Sequence, residues 1–108
     1  MKGYITLIIS SLFFISYSQV SIMHFNSEWN ADNNFDISKL KECKKSEIVI
    51  CHNEDLQEKH QIISVPTIIV FDDEQEIIRF EANIMMQLEV TRKDIQIAID
   101  KIMLEKFE

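Results

Sequence analysis

Pro66 is the only proline in the chain, and it stands directly before the apolar, largely β-branched run Thr67-Ile68-Ile69-Val70-Phe71. Proline lacks a backbone donor, so it suits the first residue of a strand and not its interior. Ser64-Val65-Pro66-Thr67 therefore predicts a strand from Thr67 to Phe71, with the rest of the chain arranged around it.

The other strong punctuator of backbone, glycine, occurs once, at Gly3. Lys2 precedes an uncharged, mostly apolar run from Tyr4 to Ile15, followed by the small-residue triplet Ser16-Tyr17-Ser18. A basic start, a short apolar run and a small-residue site are the pattern of a secretory signal peptide, with cleavage expected before Gln19. The run falls short of the about 20 apolar residues that span a bilayer. The expectation is a cleaved leader over residues 1–18 and an exported, periplasmic or secreted domain over residues 19–108, with no membrane span. That domain contains no glycine, so every tight or left-handed position in it is filled by another residue at some cost. Glycine-cradled phosphate loops are excluded.

The formal net charge is −7, and removing Lys2 with the leader makes it −8. An acidic surface repels phosphate backbones, so nucleic acid is not an expected partner.

Val20 to Phe25 reads as a short buried strand, and Asn26 to Asn34 as a polar, turn-rich stretch containing Trp29. A short helix is expected over Phe35 to Cys43, with Ile37 and Leu40 facing inward and Asn33 or Asn34 as its cap. Glu47 to Cys51 predicts a second strand. Asn53 predicts the cap of a helix running to Gln61, with Glu54 and Asp55 in its first turn, where the dipole favours acids. After the strand at Thr67, Asp72-Asp73-Glu74-Gln75 reads as a hairpin turn, and Ile77 to Glu81 returns antiparallel. Asn83 to Val90 is a connection containing Ile84, Met85, Met86 and Leu88. Thr91 with Asp94 marks a capping box, and Ile95, Ala98, Ile99, Ile102 and Met103 form one apolar helical stripe. This βαβαββα order predicts an α/β fold: a four-stranded mixed sheet with helices on both faces.

That order, with Phe25-Asn26-Ser27-Glu28-Trp29 after the first strand and Val65-Pro66-Thr67 opening the third, resembles the thioredoxin-like superfamily. Small exported bacterial members of the thioredoxin family are the most similar. The resemblance implies a cis-proline at Pro66. It also implies a groove in which the backbone of the residue before that proline pairs with an extended peptide, a form of strand addition. In thioredoxins the tryptophan is followed by Cys-x-x-Cys, whose first thiolate attacks disulfides. Here the run is Trp29-Asn30-Ala31-Asp32-Asn33, with asparagine at both cysteine positions. An amide is neither nucleophile nor electron carrier, so dithiol–disulfide exchange at this place is excluded. The same resemblance puts His24 where thioredoxins keep a buried acid and Glu47 where they keep a lysine. A carboxylate–ammonium pair becomes an imidazole–carboxylate pair, which reads as a structural replacement or as a core histidine beside a solvated acid.

Cys43 and Cys51 are the only cysteines. They are expected at opposite edges of the sheet, about 15 Å apart, beyond the roughly 4.4–6.8 Å between Cα atoms that a disulfide needs. Cys51, at the C-terminal end of a strand, reads as either a small buried hydrophobe or a lone reactive thiol. Cys51-His52 with His24 or His60 matches no recognisable zinc spacing, so no metal is expected, and no cofactor or catalytic constellation is found.

The expected site is thus a binding surface: Trp29, Asn30, Asn33, Val65 and Pro66, with Met85 and Met86 beside them, since methionine-rich surfaces adapt to apolar side chains. Its expected occupant is an extended peptide or another envelope protein. The competing readings are a thiol-active protein using Cys51, with or without Cys43, and a remnant whose surface binds nothing specific.

Overall fold

The computed structural model describes residues 19–106, so the expected leader at residues 1–18 lies outside the described residues, as do residues 107–108. The strand predicted from Pro66 forms as β3 (Thr67–Asp72), and its side chains from Thr67 to Phe71 are all buried. It pairs antiparallel with β1 (Val20–Asn26) on one side and with β4 (Gln75–Glu81) on the other. β1 pairs in parallel with β2 (Lys44–Val49), giving one four-stranded sheet in the order β2-β1-β3-β4. Two helices, α1 (Glu54–Lys59) and α2 (Arg92–Lys106), and two 3₁₀ segments, Glu28–Asn33 and Ile50–His52, are the other elements among the described residues. The expected mixed sheet with helices on both faces is the one that forms.

Strand alternation divides the core between those faces. Val20, Ile22, Ile68 and Val70 point to one side and pack with Ile95, Ile99 and Ile102 of α2. Phe25, Ile69 and Phe71 point to the other and pack with Ile62, Val65 and Leu56 of α1. Fully burying each such side chain stabilises by roughly 1.5–3 kcal/mol, so both layers are needed in a domain this small. The start of α2 is set by the predicted reciprocal cap: the Thr91 N–H donates to Asp94 Oδ2 at 2.9 Å, and the Asp94 N–H to Thr91 Oγ1 at 3.2 Å.

The helix expected over Phe35 to Cys43 does not form; a turn at Ser38-Lys39 within irregular backbone replaces it. Side chains satisfy the backbone groups that a helix would have paired. Asp36 Oδ1 accepts the Ser38 N–H, and Lys45 Nζ donates to the carbonyls of Ser38 and Leu40 at 3.0 and 2.8 Å. Gln96 of α2 takes both the N–H and the carbonyl of Lys41. Ile37 and Leu40 still reach the core. Asn33 and Asn34 therefore cap no following helix. β2 also starts and ends earlier than expected, and Cys51 falls in the 3₁₀ segment after it. Asn53 precedes α1, but its side chain donates to the Val49 carbonyl instead of capping.

The absence of glycine shows in the turns. Asp73 and Glu74 both hold positive φ, 51° and 73°, the sign pattern of the primed hairpin turns that match strand twist. Non-glycine residues there cost on the order of 1 kcal/mol each.

Candidate functional site

Because β1 and β2 run in parallel, the segments that follow them open on the same edge of the sheet, next to the start of β3. The register Asn26↔Val49 brings the 3₁₀ segment Glu28–Asn33 beside the 3₁₀ segment Ile50–His52. Between them and the cis Val65–Pro66 bond lies a cavity of 430 Å³, lined by Trp29, Ile50, Ile62, Val65, Ile84 and Met86 among others. Its rim is apolar and open: Trp29 is 66% exposed, Ile63 86% and Ile84 93%.

The loop carrying Ile84 and Met86 is held closed by one residue. Asn83 Oδ1 accepts the N–H groups of Met85 and Gln87, and the Asn83 carbonyl accepts the Met86 N–H. Ile84, Met85 and Met86 are thus displayed to solvent on a hydrogen-bonded turn and do not fold back as core. Of the two methionines singled out in the sequence, Met86 lines the cavity; Met85 is exposed and is not among the lining residues.

Asn30, Asn33 and Pro66 are not among the lining residues; Asn30 and Asn33 form a hydrogen-bonded amide cluster that reaches the cavity through Val65 and Met86. Asn33 Nδ2 donates to Asn30 Oδ1 at 2.8 Å. Asn30 is buried, and its Nδ2 donates to Asn26 Oδ1 at 3.2 Å, the Val65 carbonyl at 3.3 Å and the Met86 carbonyl at 3.2 Å. With two hydrogens for three acceptors, one hydrogen is shared. Asn26 Nδ2 in turn donates to the Asn30 carbonyl and to Asn34 Oδ1, and Gln87 Nε2 to Asn33 Oδ1. The cluster fixes the backbone before Pro66 and the Met86 turn relative to the 3₁₀ segment. Among the described residues, no acceptor pairs with the Val65 N–H. Asn26, Asn34 and Gln87 were not expected in this role. The signal available in the sequence was the density of asparagine between residues 26 and 34.

His24 and Glu47 are register partners on β1 and β2, and His24 Nδ1 lies 3.6 Å from Glu47 Oε1. His24 is buried, with Nε2 unpartnered, whereas Glu47 is 60% exposed and screened by water. Burial lowers the His24 pKa and outweighs the opposing pull of the Glu47 carboxylate. The His60 pKa is also lowered, by burial and by Lys59 and Arg79, with Glu76 opposing. Groups with a lowered folded pKa leave the unfolded chain holding more protons, so stability falls as pH drops below the unfolded histidine value of about 6.5. Asp36, Glu76 and Asp94, held below the usual carboxylate range by hydrogen bonds to Ser38, Arg79 and Thr91, lose their contribution only further down, below about pH 4. His24→Leu removes an unpaired buried nitrogen. Urea unfolding of this variant should show stability at neutral pH unchanged or raised by about 1 kcal/mol, and a flatter decline between about pH 6.5 and 5.

The two cysteines are free and flank β2 at its opposite ends. Cys43 is half-buried, and desolvation raises its pKa. Cys51 is exposed, which removes the buried-hydrophobe reading. His24 and His60 do not approach it: His60 packs between the rings of Phe25 and Phe71, with centroids at 5.7 and 5.4 Å. Glu28 does: a carboxylate oxygen lies within 4.8 Å of the Cys51 sulfur, and its Oε1 is 2.6 Å from His52 Nε2.

No protein-family model matches the sequence, and no curated protein matches it significantly. Solved structures do. Thioredoxin-2, described as a component of the malaria parasite's protein secretion machinery, superposes with a TM-score of 0.64 at 22% identity, over 78% of this chain and 84% of that one. The fold is that of a thioredoxin. Thioredoxin 1 of Thermosipho africanus gives a TM-score of 0.61 at 19% identity, over 82% of this chain and 99% of that one. Thioredoxin of Fasciola hepatica gives 0.58 at 14% identity, over 86% and 89%. At such identities the likeness concerns the fold, and what the chain does has to be argued from its own residues.

Proposed function

We propose that this protein is an exported, redox-inactive thioredoxin-fold module that binds an extended apolar peptide segment of another envelope protein in the groove beside Pro66. The observation that carries this reading is the apolar cavity bounded by Trp29, Ile84 and Met86, beside an asparagine cluster that engages the Val65 and Met86 carbonyls; the family resemblance implies that Asn30 and Asn33 stand where thioredoxins carry thiols. An exposed apolar surface kept in place by hydrogen bonds costs solubility, and such surfaces mark interaction sites. The Val65 N–H offers a backbone donor for strand-like pairing, while the Val65 carbonyl is already engaged by Asn30. The basic start and apolar run of residues 1–18 support export.

Trp29 is the sole tryptophan, so its emission reports directly on the groove. Titration with extended apolar peptides is expected to shift that emission. Ile84→Glu and Val65→Pro should each weaken the response by about tenfold, a change of about 1.4 kcal/mol. Emission that ignores every such peptide, or variants that bind as the parent does, would remove the groove from the account. The protein is also expected to be inert in dithiothreitol-driven insulin reduction. Turnover that vanishes in Cys51→Ser would instead support the thiol-active reading.

A further inference from the structure

Glu28, Cys51 and His52 present one carboxylate oxygen, one sulfur and one ring nitrogen, all within 4.8 Å of one another. We propose that these three residues form a Zn²⁺ site with one coordination position left to water. Zinc is the borderline-soft cation that accepts thiolate, imidazole and carboxylate together, and three protein ligands plus water is its common open arrangement. Tetrahedral bonds to those donor types place the ligand atoms about 3.3–3.8 Å apart. The present cluster, with every pair within 4.8 Å, lies near that spacing, and the 2.6 Å contact between Glu28 and His52 has to open to admit an ion.

The backbone on both sides is already fixed. Asn30 N–H donates to the Ser27 carbonyl at 3.0 Å in the turn holding Glu28. Asn53 donates from its N–H to the Ile50 carbonyl at 3.1 Å and from Nδ2 to the Val49 carbonyl at 2.8 Å, clamping the turn that holds Cys51 and His52. Because the two turns follow neighbouring parallel strands, an ion bound here ties the end of β1 to the end of β2. Glu54 and Asp55 line a shallow cavity of 500 Å³ with Cys51 and His52, adding negative charge that draws in a cation. On binding, zinc would take the place of the hydrogen between His52 Nε2 and Glu28 Oε1, neutral His52 carrying its single hydrogen on Nδ1 instead, and the Cys51 thiol would give up its proton to solvent.

The experiment is titration of the full, reduced chain with Co²⁺ and then Zn²⁺. Cobalt is expected to saturate at one equivalent with a thiolate-to-cobalt charge-transfer band that zinc abolishes by displacement. Cys51→Ser should eliminate the band. His52→Ala and Glu28→Gln should each weaken binding by at least about tenfold, the lower end of what loss of even an outer-shell partner costs. Cys43→Ser, altered at the far end of β2, should bind as the parent does. Zinc should raise the thermal midpoint of the parent and of Cys43→Ser, and leave that of Cys51→Ser unmoved. A missing charge-transfer band, a band that survives Cys51→Ser, or one lost in Cys43→Ser would overturn the proposal.

Discussion

Asn30→Ala is expected to lower the unfolding free energy by about 2–4 kcal/mol, measured by urea denaturation. The side chain is buried, and its loss strips a donor from Asn26 Oδ1, the Val65 carbonyl and the Met86 carbonyl, and an acceptor from Asn33 Nδ2. A buried polar group left unpaired costs about 1–3 kcal/mol, but Asn33 and Met86 recover water, which sets the upper end. Hydrogen exchange should quicken at the Asn83–Gln87 turn, because Asn30 is what ties the Met86 carbonyl to the rest of the site. A change under about 0.5 kcal/mol, the size of an ordinary surface effect, would mean that the amide cluster is ornamental.

Phe25→Ala is expected to be costlier still, by about 3–5 kcal/mol, as for other buried aromatics truncated in a core. Phe25 is fully buried and packs with Ile62, Val65, Ile69 and Phe71 under the groove. Small domains hold about 5–15 kcal/mol in all, so the variant should be close to its unfolding threshold at ambient temperature. Chemical denaturation followed by Trp29 emission would read both global stability and the groove. Ile97→Ala, at a position 56% exposed on α2, is the control and should stay within about 0.5 kcal/mol.

The strand after Pro66 and the last helix were legible because they carry local signals. A proline before a β-branched run, a capping box and an i, i+3, i+4 stripe each depend on a few neighbouring residues. The segment from Phe35 to Cys43 was not legible for the opposite reason. Ile37 and Leu40 have helical spacing, yet Lys45, just beyond the segment, and Gln96, far along the chain, satisfy its carbonyls and N–H groups and leave a helix unnecessary. Of the residues singled out in the sequence, Trp29, Val65 and Met86 line one cavity, whereas Asn30, Asn33, Pro66 and Met85 do not, Met85 lying on the turn that Asn83 imposes.

The sequence by itself determined the order of strands around Pro66 and put amides, not thiols, at Asn30 and Asn33 after Trp29. Both follow from residue chemistry: a missing donor fixes where a strand opens, and an amide cannot take up or release electrons. Only the tertiary structure decided what those asparagines do instead, because Asn30 finds its partners at Val65 and Met86, residues far along the chain. It alone brought Glu28 to Cys51 and His52. That meeting depends on the parallel register of two strands, which no local pattern around residues 28 or 52 records.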